Sequence, residues 1–248
     1  MSHLVLQKSW NKFLDRTTQN PVFWYFFVAP TVQILTYWFI GGIYLFFDLT
    51  KKPKILQKYK IYDKRETKLT FQTFKLMSKR VLFNQFIVQF PLGFILCPLI
   101  PYKDMIFGLH HIPSVKEFIV QFLICYILRE ILFYYIHRLL HHRYFYENFH
   151  KQHHQFLADT AISAINCSAI DHLCTNSIPI VAGPALMKSS FVLTTFWFVF
   201  ITFSALQDHS GYEFPWYFSL RRHYGHHKSF NKNYGIIGLM DWIHGTSL

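Results

Sequence analysis

Long uncharged apolar stretches alternate with short polar ones along this chain. The first runs from Pro21 to Phe47 and the second from Val81 to Pro101, and neither carries a charged residue. A third, Phe118 to Ile136, is broken only by Arg129 and Glu130, and a fourth, Leu173 to Leu206, only by Lys188. About 20 helical residues span a hydrocarbon core of about 30 Å, so each of the first three stretches predicts a crossing. The fourth has the length of two short crossings or of a re-entrant pair, with the bend expected at Gly183, Pro184 and Lys188. Pro30 and the Gly41-Gly42 pair are places where the first helix is expected to kink. The pattern predicts an all-α integral membrane protein with about four hydrophobic helical regions. Two parts are expected: residues 1–117, made of membrane helices and a basic loop, and residues 118–248, which carry the chemistry.

Composition strengthens the membrane reading. Of the 248 residues, 52% are hydrophobic and 20% aromatic, more than a soluble domain usually holds. The rings cluster at the ends of the apolar runs as well as inside them, which suits headgroup level. No short apolar core followed by a small-residue cleavage site opens the chain, so the first run is expected to stay as an anchor. The cysteines, Cys97, Cys125, Cys167 and Cys174, lie in or beside apolar stretches without paired spacing and are expected to be reduced, buried thiols.

Charge adds an orientation. Between Lys51 and Arg80 stand eleven Lys and Arg residues against only Asp63 and Glu66, and short basic loops of this kind stay cytosolic. The net charge of +12 is compatible with nucleic acid, but no nucleic-acid-binding signature accompanies it. The basic residues flank apolar runs, where anionic lipid headgroups are their natural partners. No nucleic-acid partner is expected.

Ten histidines carry the candidate chemistry. His137, His141 and His142 form one cluster, His150, His153 and His154 a second, and His223, His226 and His227 a third, with His209 ahead of the last. Even numbers of crossings separate the clusters, so all three are expected on one membrane face, the cytosolic one. His137 and His141, four apart, share a helix face; pairing His137 with His142 instead requires slight unwinding, and both options stay open. The three-residue step from His150 to His153 puts these two on one side, with His154 at a neighbouring angle, an arrangement able to serve two nearby metals. The third cluster repeats it. Neutral imidazole suits iron, copper, zinc or nickel. His3, His110, His111 and His244 stand apart and are expected to be ordinary surface or core residues.

The stretches His137-Arg138-Leu139-Leu140-His141-His142, His150-Lys151-Gln152-His153-His154, His209-Ser210-Gly211-Tyr212 and His223-Tyr224-Gly225-His226-His227 resemble the fatty acid hydroxylase and sterol desaturase superfamily. The likeness continues through Asn233-Tyr234-Gly235, Asp241-Trp242 and His244-Gly245-Thr246, and covers about half the chain. Within it, the C4-methylsterol oxidases and fatty-acid-hydroxylase-domain relatives are most similar. The resemblance implies a multi-pass enzyme of the endoplasmic reticulum membrane, with a cytosolic helical cap holding two iron ions and with zinc as the ion such a site takes up on purification. It implies O2 as oxidant, electrons from NAD(P)H through a cytochrome b5 or reductase partner, and a lipid substrate. C4-methylsterol oxidation is the first expectation; fatty acid or sphingolipid hydroxylation, desaturation, and a catalytically silent relative are the others. Where relatives often carry His-Pro, this chain has Ser168-Ala169, followed by Asp171 and His172. A candidate ligand is therefore replaced, and three outcomes stay open: His172, four residues on, substitutes for it, a water fills the position, or redox activity is lost.

A membrane zinc hydrolase or metal transporter is the reading from another class, but a transporter wants its ligands at mid-membrane, and these lie at the ends of apolar runs. Carboxylates that accept the second ring N–H of a ligating histidine are expected among Asp208, Glu147, Asp171 and Asp241, with Asp208 first. Arg129 and Glu130 lie inside an apolar helix, where ionisable groups face a cavity or each other. Glu130, seven residues before His137, either supports the site or pairs with Arg129.

Overall fold

The computed structural model describes residues 3–61, 69–157, 160–217 and 219–248. Lys64, Arg65 and Lys68 of the basic loop, with Asp63 and Glu66, fall outside them. Among the described residues the chain is helical, and its only β-type pairing is an isolated bridge from Lys60 to Tyr212. Helix α1 (His3–Arg16) precedes α2 (Pro21–Thr50), α3 (Phe71–Leu99), α4 (Tyr102–His110) and α5 (Val115–Leu140). A run of short turns leads to α6 (residues 169–186), then α7 (Phe191–Asp208), α8 (Ser219–Ser229) and α9 (Leu239–Ile243). Four helices, α2, α3, α5 and α7, are long and apolar enough to cross a membrane. On α5 the outward row Val115, Ile119, Leu123 and Ile127 is 78%, 51%, 54% and 40% exposed, an apolar stripe that suits a lipid environment.

The fourth apolar run is thus an antiparallel pair, α6 and α7. Its bend lies at residues 187–190, with Lys188 in the left-handed region at φ 49°, rather than at Gly183-Pro184, which remain inside α6. Gly183 is needed there for packing: a Cβ at that position would stand 2.8 Å from the Cα of Cys125 on α5. Gly41 likewise lets α2 close on its neighbours, since a Cβ there would stand 2.8 Å from Ile162. Cys125 and Cys167 are buried free thiols, whereas Cys97 and Cys174, expected to be buried, are free thiols only half-buried.

Three helices widen into π turns at Trp24–Val28, Asn84–Gln89 and His172–Ser177, and each is followed two residues later by a proline, Pro30, Pro91 or Pro179. Proline brings no N–H for the carbonyl four residues back, so the preceding turn relaxes to a wider repeat. These turns carry Tyr25, Phe26, Gln89, His172 and Asn176, which line the interior cavities described below. Two ends of the bundle result. One holds α1, α4 and the 187–190 turn; the other holds the end of α2, the turns after α5, and α8 and α9. Lys60 reaches across this second end to the Ser210 carbonyl and Asp48, each at 2.8 Å, so the described part of the basic loop lies on the same end as the histidine clusters.

Candidate metal centre

Nine of the ten expected histidines meet at that end, in two adjoining groups. His137, His141, His150, His154 and His226 form the first; His153, His209, His223 and His227 form the second. Within each group every residue offers a ring nitrogen within 4.8 Å of the others. The pairing rule is the four-residue step. His137 with His141, His150 with His154, and His223 with His227 each share a group, while His153 and His226 cross to the opposite one. This corrects the expected pairing of His150 with His153: His153 and His154 open a tight 3-10 turn after a wide π turn, and that change of pitch swings His153 away. The groups adjoin, with the His154 and His227 rings 4.3 Å apart.

His142 is the expected residue that stays outside. At His141 the backbone is still helical, but at His142 it turns extended and caps the short helix Arg143–Phe145, so the ring lies exposed beside Tyr144 and Phe145. His3, His110, His111 and His244 belong to neither group, as expected. His244 instead stacks on Tyr134 and bonds the Tyr135 hydroxyl.

Outer partners decide which nitrogen faces inward. The Nδ1–H of His137 donates to the Tyr234 carbonyl and that of His226 to the Lys232 carbonyl, each at 2.7 Å, and His150 Nδ1–H donates to Asp171 Oδ2 at 2.8 Å. A carbonyl can only accept, so His137 and His226 are fixed as tautomers whose Nε2 lone pair points into the group. The Nε2 of His226 is buried without any protein partner. Inside, Nε2 atoms lie 3.0 Å apart for His137 and His150, 3.2 Å for His141 and His154, 2.8 Å for His209 and His223, and 3.0 Å for His223 and His227. Metal–nitrogen bonds of about 2.0–2.1 Å put two neighbouring ligands about 3 Å apart, so the donor set fits a bound transition ion in each group.

Burial keeps these rings neutral. It holds His150 and His153 down at about 3, and His154, His209, His223, His226 and His227 well below the ordinary imidazole value. Neutral imidazole is the form that binds metal. The Asp171 carboxyl is pushed up to about 6 by burial, opposed by the nearby histidines and by Thr175, whose hydroxyl donates to it at 2.9 Å.

The expected carboxylates take different roles. Asp171 is the one that touches a histidine. Asp208 accepts no histidine N–H among the described residues, because the last turn of α7 points it away from His209 towards Tyr217 and Ser219. Glu147 is exposed and paired with Lys151. Glu130 accepts from the backbone N–H groups of Ile236, Ile237 and Met240 at 2.7, 3.0 and 3.1 Å, and no ion pair joins it to Arg129 among the described residues. Asp241 accepts from the backbone N–H groups of Tyr234 and Gly235, each at 2.8 Å. Together they hold the segment whose Tyr234 carbonyl orients His137. Gly235 is required by their closeness, since a Cβ there would stand 2.6 Å from Glu130 Oε1. Ser168, at the replaced ligand position, caps α6 and donates to the Phe149 carbonyl at 2.7 Å. His172 is buried, belongs to neither group, and has no partner at either ring nitrogen.

The profile of the fatty acid hydroxylase family matches residues 122–246, the span that holds every one of these histidines. The chain belongs to the fatty acid hydroxylase family. Among relatives, this hydroxylase-family chain is 32% identical over 243 residues to the fatty acid hydroxylase domain-containing protein 2 of Homo sapiens, covering 97% of this chain and 72% of that one. The fatty acid hydroxylase ahd1 of Mycosarcoma maydis is 29% identical over 238 residues, 96% of this chain and 60% of its own. A methylsterol monooxygenase of Aspergillus fumigatus, erg25A, is 30% identical over 198 residues, 73% of this chain and 64% of its own. No solved structure matches the chain.

Proposed function

We propose that this hydroxylase-family chain is a multi-pass, O2-dependent lipid monooxygenase of the endoplasmic reticulum membrane, with its histidine end in the cytosol. In this reading His137, His141, His150, His154 and His226 hold one iron, and His153, His209, His223 and His227 hold the second. Bound there, the two irons supply an oxidant, made from O2 and electrons passed from NAD(P)H through cytochrome b5 or a reductase, that removes hydrogen from an unactivated C–H bond. The protein's own part is placement. Asp171 and the carbonyls of Tyr234 and Lys232 aim the ligand rings, and the buried, neutral nitrogens exclude protons that would compete with metal.

One observation carries this reading: an apolar cleft lies next to a cavity walled by the histidine groups, with Asn176 lining both. That cleft, of about 270 Å3, lies among α2, α3, α4, α6 and α7. A cavity of about 40 Å3, lined by His137, His150, His153, His209 and His223, shares Asn176 with it. A lipid in the cleft would approach the histidine cavity at Asn176. Both a methylsterol and a fatty acyl chain suit an apolar wall. The test is metal content and turnover: protein reconstituted with ferrous iron under reducing conditions should bind close to two irons and hydroxylate a 4-methylsterol or a fatty acyl substrate. Protein that loads iron but oxidises neither lipid with a competent electron donor would favour the silent relative, which the serine at position 168 also suggests.

A further inference from the structure

A third cavity, of about 30 Å3, lies between the cleft and the histidine cavity, sharing Gln33, Gln89, Asn176 and Ile180 with the first and Arg129, Asn176 and Ala205 with the second. Two side chains aimed into it lack partners. Arg129 is 6% exposed, and its Nε and Nη1 are buried with no acceptor. His172 is 1% exposed, and neither of its ring nitrogens is bonded. A buried guanidinium with no anion against it is costly, and an ionisable group in a membrane helix usually faces a functional cavity. The nearest carboxylates do not satisfy it. Glu130 is occupied by three backbone N–H groups, and Asp208, which lines the second cavity with Arg129, makes no ion pair with it among the described residues.

We infer that Arg129 and His172 form a head-group site for an acidic lipid, placing a carboxylate between the apolar cleft and the histidine groups. The dimensions agree: a water-sized group needs about 10–15 Å3, so the cavity admits about two, the two oxygens of one carboxylate. Arg129 supplies the charge and a fork of donors. His172, neutral because burial lowers it to about 4, offers one further N–H. The tail then runs back into the cleft past Asn176, which lines all three cavities. Because Arg129 and the histidines line one cavity, the carboxyl end of the lipid, not its tail, is the part nearest the histidine groups.

This inference rests on the lipid reading above but is tested without iron, O2 or reductant. Purified full-length protein in nanodiscs is titrated with laurate, methyl laurate and a neutral 4,4-dimethylsterol. Wild type should bind laurate at least about tenfold more tightly than its methyl ester, and Arg129→Gln should erase that preference while leaving ester binding unchanged. No acid preference in wild type, a preference that survives in R129Q, or tighter binding of the sterol than of laurate overturns the site. Should R129Q fail to fold, His172→Gln should still weaken laurate by about threefold and the ester not at all, and an unchanged laurate affinity overturns the site equally. Acid binding without turnover in the reconstituted enzyme would defeat the oxygenase reading and leave this one standing.

Discussion

His150 and Asp171 are joined by a 2.8 Å hydrogen bond in which both side chains are 2% exposed, and this bond turns the His150 Nε2 to within 3.0 Å of the His137 Nε2. The direction of the His150 ring in the first group therefore depends on a carboxylate that is not itself a member of the group. Outer acceptors of this kind typically change metal affinity by roughly 10- to 100-fold, and Asp171→Leu is expected to lower iron retention on dialysis by that order. Asp171→Asn, whose amide oxygen still accepts, should lose less. Iron measured per protein by mass spectrometry decides it, and equal retention in all three proteins would remove Asp171 from the site.

The two crossing histidines are the sharpest probes of the two-group arrangement. His153→Ala removes one of four residues in the second group and His226→Ala one of five in the first. Each should abolish lipid oxidation and lower bound iron while the helical circular dichroism stays, since the helices hold themselves by their backbone bonds. His142→Ala should keep the full metal complement, because that ring is exposed and outside both groups. Loss of iron in H142A would place the ligand on the other side of the helix end.

Glu130 fastens the 236–240 segment through three backbone N–H groups. Glu130→Ala leaves those buried donors without an acceptor and should cost about 3–5 kcal/mol, the range for breaking a buried charged contact. A lowered unfolding temperature in detergent, together with reduced iron content as the Tyr234 carbonyl loosens, is the expected pair of results. A stable E130A with unaltered iron would show that the segment is held elsewhere.

The buried histidines make the metal-free protein sensitive to acid. His150 and His153 lie at about 3 when folded against 6.5 when free, so the unfolded chain takes up protons that the folded chain refuses. Their contribution is complete above 6.5 and is lost as pH falls towards 3. Asp171, raised to about 6 from 3.8, has the opposite sign, its contribution being present below 3.8 and lost as pH rises through 6, but it is one group against several. The unfolding temperature of the metal-free protein should fall between pH 7 and pH 5, and bound iron should reduce that fall, since a ligated nitrogen is not free to protonate. A flat profile would contradict the buried neutral rings.

Topology is open to labelling. A cysteine at Lys54 and one at Leu248 should react with an impermeant reagent from the same side of sealed microsomes, and one at Asn20 from the other. Labelling of Lys54→Cys and Leu248→Cys from opposite sides would break the even-crossing arrangement.

The sequence by itself determined the helical class, the four long apolar helices and nine of the histidines that the fold gathers, because hydrophobic length and histidine spacing are one-dimensional signals that survive without coordinates. An even number of apolar helices between the clusters also permits them to meet at one end, as they do. The sequence also placed Arg129 and Glu130 as residues needing an explanation. Tertiary structure alone decided how the histidines divide: a local change of pitch swings His153 away from His150, and the placement of the regular helix α8 between the groups turns His226 to the one that His223 and His227 do not join. It excluded His142 by a single turn to extended backbone, and it chose Asp171 over Asp208 because a side chain's direction at the end of a helix depends on where that helix stops. The carbonyls of Tyr234 and Lys232 had no signal in the sequence at all: every residue carries a carbonyl, and only the packed chain determines which ones reach a histidine.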